Sequence, residues 1–126
     1  MEYVLSKIDI CGLAVELILT DEVAKLLPSE ELEDEEIDSF GKYSVPDCKI
    51  WLDAGLSPAM LQSQLWHEVE EFVLGYFNVQ YDSSNQHDSY MRLSNVKYGV
   101  VKTNADLMVG DKLGILYNEW QTKIQD

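Results

Sequence analysis

The strongest constraint on the fold is one apolar stripe that begins directly after a helix-start signal. Ser57 offers a capping hydroxyl and Pro58 suits the first helical position. From there Leu61, Leu65, Val69, Phe72, Val73 and Tyr76 recur at three- and four-residue spacing. That period predicts an amphipathic helix with one face in the core, ending in the region of Gly75 and Asn78. His67 and Glu71 fall off the stripe, so the helix buries one side and presents another to a cleft.

The flanking sequence supplies partners for such a helix. Tyr3 to Ile10 and Leu13 to Thr20 read as strands, with Cys11-Gly12 between them as the tight turn of a hairpin. In the second strand Leu13, Val15, Leu17 and Leu19 alternate with Ala14, Glu16, Ile18 and Thr20, which suits a sheet with one wetter face. Asp21 to Leu27 reads as a short helix or loop stopped by Pro28. Phe40 to Val45 and Cys48 to Asp53 are short strands separated by a turn at Val45-Pro46-Asp47.

Past the central helix, Asp82-Ser83-Ser84-Asn85 is loop-forming, and Asp88 is placed to cap a helix reaching about Asn104 with Tyr90, Leu93, Val96 and Val100 on one side. After an interruption at Asn104-Ala105-Asp106 and Gly110, a last amphipathic helix carries Leu113, Leu116, Tyr117, Trp120 and Ile124. The expectation is one α+β domain over residues 1–126, a small antiparallel sheet packed on the central helix with two further helices.

Charge narrows the function classes. With 23 acidic and 9 basic side chains the formal charge is −14, which repels phosphate backbones and argues against direct nucleic-acid binding. Such a surface can instead attract a basic protein partner, though more often a charge of this kind simply keeps a protein soluble. Ser29 to Ser39 holds seven carboxylates and reads as a solvated, flexible acidic loop. No apolar run is long enough for a membrane span, and Met1 to Lys7 lacks the pattern of a secretory signal. Cys11 and Cys48 are not in a CxxC pair and read as ordinary buried thiols of a reducing cytoplasm.

The stretch Leu65-Trp66-His67-Glu68-Val69-Glu70-Glu71-Phe72 carries the chemistry. On a helix His67 and Glu71 stand one turn apart, the geometry of a two-point grip on a metal ion. Glu70, at i+3, is a rival to Glu71. The chain's other histidine, His87, lies at the start of the following helix, and a helix–loop–helix return would bring it beside them. Two imidazoles and one carboxylate suit a single Zn²⁺ with a fourth position left to water. Glu68 is then placed to act as general base. Against this stands the plain alternative of a solvated helix face in an acid-rich protein.

Three segments together resemble a known family: Ile8 to Leu17 (IDICGLAVEL), Lys49 to Phe72 (KIWLDAGLSPAMLQSQLWHEVEEF) and His87 to Leu107 (HDSYMRLSNVKYGVVKTNADL). Their order and spacing are similar to small zincin-like metallopeptidase proteins of phages and mobile elements, related to the ImmA/IrrE type. The resemblance implies a zincin-like fold and metal-ligand roles for His67, Glu71 and His87. It also implies a general-base role for Glu68, peptide-bond hydrolysis in a protein or peptide substrate, and the cytoplasm of a bacterial host. Most relatives carry HExxH; this chain has HExxE, as a variant branch does. The alternative function is a non-enzymatic acidic interaction or inhibitor protein of phage or mobile-element origin that occupies a basic partner surface.

Overall fold

The computed structural model describes residues 1–21, 23, 40–77 and 86–125, the side chains of 86–92 and 125 apart. The expected acidic loop from Ser29 to Ser39, the segment 81–85 and most of Asp21 to Leu27 lie outside the described residues.

Strands β1 (Glu2–Ile10) and β2 (Leu13–Thr20) form the expected antiparallel hairpin. Its two-residue turn puts Cys11 at φ 56° and Gly12 at φ 86°, the pair of positive values that matches the right-handed twist of the strands. Gly12 supplies that conformation without steric cost, while Cys11 carries a side chain into it. The Asp9 carboxylate accepts the Gly12 N–H at 3.0 Å and closes the turn. A register shift between Val4 and Ser6 lets Leu5 join Ile8 and Ile10 in the core.

Strands β3 (Gly41–Ser44) and β4 (Lys49–Asp53) form a second hairpin, and the sheet order is β1-β2-β4-β3. Here the structure departs from expectation: β4 runs parallel to β2, with Leu17 opposite Ile50 and Leu19 opposite Leu52, so the sheet is mixed rather than antiparallel throughout. The chain leaves β2 at Thr20 and returns to the far edge at Gly41, so that β3 takes the edge and β4 the middle. Ile50, Trp51 and Leu52 are consecutively buried, as a parallel central strand covered on both faces should be. The same cover ends the alternation in β2 after Glu16, and Leu17 to Thr20 are all buried. On the face away from Leu17 and Ile50, Trp51 donates from Nε1 to Glu2 at 2.8 Å and lies under the Lys42 ammonium.

Helix α1 (Pro58–Tyr76) starts as its sequence predicts, with Ser57 accepting the Met60 N–H. It packs on β3 and β4, and Leu61, Leu65, Val69, Phe72 and Val73 are all buried. Tyr76 is a correction: it is exposed at the last turn, where it meets Phe77 edge-on instead of entering the core.

Helix α2 (Gln86–Thr103) begins two residues before Asp88, and Leu93 and Val100 face the core. The interruption at Asn104 holds a short helix, α3 (Ala105–Met108), closed by the Gly110 and Val109 N–H groups on the Ala105 carbonyl. Helix α4 (Lys112–Gln125) buries Leu113, Tyr117 and Trp120, while Ile124 is exposed near its end. The described architecture is α+β: a four-stranded mixed sheet with four helices, one more than expected because α3 occupies the predicted break.

Asn104 ties the helical layer to the sheet. Its side chain accepts the Asp9 N–H at 2.9 Å and donates to the Asp9 carbonyl at 2.6 Å and the Val100 carbonyl at 2.8 Å. One amide thus continues the pairing of edge strand β1 and satisfies a carbonyl at the end of α2. Among the described residues no helix is long and apolar enough to cross a membrane.

Candidate metal centre

Helix α1 is held in azimuth before any site chemistry is considered. Gln62 donates from Nε2 to the Leu107 and Met108 carbonyls at 3.0 and 3.2 Å, and Trp66 donates from Nε1 to Met108 at 2.8 Å. Two side chains one turn apart therefore satisfy the carbonyls at the end of α3. One turn further along the same face of α1, Glu70 pairs with Lys97 of α2 at 3.3 Å. These contacts fix the rotation of the helix and so the direction of its other faces.

His67 and Glu71 lie on a half-exposed face, as their position off the stripe predicts. The imidazole Nε2 is 3.3 Å from Glu71 Oε1, so the two donors already converge. Glu70 is engaged with α2, and the structure gathers Glu71 rather than Glu70 with His67.

Glu68 differs from its acidic neighbours. It continues the core register Leu61, Leu65, Glu68, Phe72 and is 1% exposed, so the picture of a solvated carboxylate face does not hold for it. Gln64 donates from Nε2 to Glu68 Oε1 at 2.9 Å. The backbone of β3 comes so near that a Cβ on Gly41 would stand 2.8 Å from Glu68 Oε1 and 2.8 Å from Gln64 Nε2. The edge strand can approach the carboxylate only because residue 41 has no side chain.

One donor atom from each of His67, Glu68 and Glu71 falls within 4.8 Å of the others, so the group could hold a metal ion. With Glu68 as the candidate base beside them, His67 and Glu71 offer one imidazole and one carboxylate, a donor pair compatible with zinc and equally with other first-row divalent ions. His87 is the second residue of α2, and its side chain lies outside the described residues, so the expected third ligand is not placed.

Sequence reading missed Gln62, Trp66 and Gln64 as supports, and it missed the burial of Glu68. The signal for Glu68 is present: positions 61, 65, 68 and 72 are one continuous helical seam once a carboxylate is allowed on it.

The cysteines are a second correction. Cys11 is exposed in the hairpin turn and Cys48 is partly buried, and neither is in a disulfide. Cys11 is exposed because the turn, not the core, is where its backbone conformation is needed. Cys48 also has a positive φ, 53°, in the turn that leads into β4. Local desolvation, and then the Asp9 carboxylate, push the Cys11 thiol up from its ordinary value.

No family model, curated protein or solved structure matches the chain.

Proposed function

We propose that this protein binds one divalent metal of the zinc class at the His67–Glu71 step of α1 and uses Glu68 for peptide-bond hydrolysis. The observation that supports this is the placement of a core carboxylate beside two converging donors on the same helix. A metal bound there supplies Lewis acidity and a water acidified towards neutral pH. His67 and Glu71 would hold the ion from the half-exposed side of the helix. His87 is the proposed further ligand. Glu68, positioned by Gln64 and shielded by the backbone of β3, takes the proton from water and returns it to the departing amine.

The test separates binding from activity. Protein purified without added zinc should carry stoichiometric metal, and His67→Ala or Glu71→Ala should lose it. Absence of metal from the parent protein sinks the centre. Glu68→Gln should retain metal and lose cleavage of peptide substrates; a fully active Glu68→Gln protein removes hydrolysis and leaves the metal.

A second reading is favoured by the charge of −14: a non-catalytic protein whose acidic surface occupies a basic partner. Binding of that kind weakens as salt rises, whereas a metal-dependent complex responds to chelator.

A further inference from the structure

We propose a second ligand site, unconnected with the metal centre: the cleft between the end of α2 and the start of α4 binds a compact polyanion. Its ligand class is a small molecule with three or more negative charges, carried on phosphate or carboxylate groups. The cleft has a volume of about 340 Å³ and is lined by Lys7 from β1, Lys102 and Thr103 from α2, Asp106 from α3 and Lys112 from α4.

The distribution of charge is what makes the cleft unusual. The chain has only nine basic side chains against 23 acidic ones, and three of the nine meet here. Against them the lining has a single carboxylate, so three lysines less one aspartate leave +2 on a molecule of net −14. Among the described residues none of the three lysines is within ion-pair distance of a carboxylate.

The fold accounts for only part of this arrangement. Lys102 stands in the last turn of α2, where a cation complements the helix dipole. Lys112 is the reverse case. It is the first residue of α4, whose first turn has no acidic residue, so a cation occupies the end of a helix that favours negative charge. Asp111 precedes it and does not line the cleft. A bound anion would meet the Lys112 ammonium at the positive end of α4, with Thr103 as a hydroxyl donor, while Lys102 offsets the negative end of α2 that lines the same cleft.

The same charges bound the ligand's size. A long polyanion would run out of the cleft onto an acidic surface and be repelled, so nucleic acid is disfavoured and a compact anion is favoured. Lysine recognises charge more than shape, so the site selects a charge class rather than one molecule.

Isothermal calorimetry with inorganic pyrophosphate, on the chelator-treated 126-residue chain at low ionic strength, tests this. The parent should bind it, citrate should compete, and acetate should not. Lys102→Gln and Lys112→Gln should each weaken binding by about tenfold or more, as expected for a charged hydrogen bond. Lys42→Gln, on the opposite edge strand, should bind like the parent. Three results would each overturn the site: no heat from the parent, equal loss in Lys42→Gln, or loss in His67→Ala with full binding in Lys102→Gln. The last would put the anion at the metal centre.

Discussion

Gly41→Ala is the most direct probe of how closely β3 is pressed against the candidate centre. The added methyl would sit 2.8 Å from both Glu68 Oε1 and Gln64 Nε2 and 3.1 Å from Glu68 Cδ, about 0.6 Å inside ordinary carbon–oxygen contact. Gln64 is partly exposed and can swing away, but Glu68 is buried to 1% and has core on its other sides. Overpacking at such a site costs about 1–3 kcal/mol, and the lower entropy of the unfolded alanine chain returns roughly 0.5 kcal/mol. The net loss is about 1–2 kcal/mol, a fall in Tm of roughly 3–8 °C for a chain of this size. Urea unfolding of the metal-free protein measures it without interference from ligand binding. Gln64→Ala removes one of the two clashes, so Gly41→Ala should cost about half as much in that background, a coupling that unrelated sites do not show. If Gly41→Ala is neutral in both backgrounds, the close approach of β3 to Glu68 is wrong, and with it the shielding assigned to that carboxylate.

Other perturbations test the frame that carries the site. Asn104→Ala removes two hydrogen bonds that join β1 to the end of α2 and a third to Val100, and should cost about 1–3 kcal/mol in thermal unfolding. Asn104→Asp keeps the acceptor and loses both donors, so it should fall between; a parent-like alanine variant would remove Asn104 from that role. Cys11→Asn should raise stability by about 1 kcal/mol, because asparagine tolerates the positive φ of that turn position better than cysteine. A loss of stability there would mean that the thiol makes a contact worth more than the strain. Because desolvation and the Asp9 charge raise the Cys11 pKa, its thiolate forms at higher pH than that of an unstructured cysteine. Alkylation at a given pH should therefore be slower than for a model thiol, and Asp9→Asn should shift its pH profile downward; an unchanged profile excludes the Asp9 contribution.

Much of this frame is legible in the sequence because it depends on neighbours. Ser57-Pro58 starts α1 by local capping, and Cys11-Gly12 turns the first hairpin by local backbone geometry. The apolar period places Leu61 to Val73 correctly for the same reason. Strand direction is different. Nothing within Lys49 to Asp53 says whether its neighbour runs with it or against it; the run of three buried residues, Ile50, Trp51 and Leu52, is the one hint of a covered parallel strand. Asn104 reads as a helix breaker because its partner, Asp9, is 95 residues away. Tyr76 and Ile124 keep the apolar period but are exposed in the last turns of their helices, and a periodicity does not record where burial stops.

Glu68 is where local pattern and chemistry meet. A chain selected only to pack α1 on the sheet would continue Leu61 and Leu65 with another aliphatic residue, since burying a carboxylate costs more than burying a leucine gains. This chain instead puts an acid on the core seam and leaves its two converging donors, His67 and Glu71, on the open side of the same turn. Gln64 donates to the acid from one turn away, and Gly41 gives up a side chain so that β3 can close over it. Those two adjustments come from different elements, one a helix and one an edge strand, and neither improves apolar packing. Any buried carboxylate needs such accommodation, and what sets Glu68 apart is that the same turn also carries His67 and Glu71 within reach of it. The buried member of the HExxE stretch is thus the one whose cost packing alone does not explain.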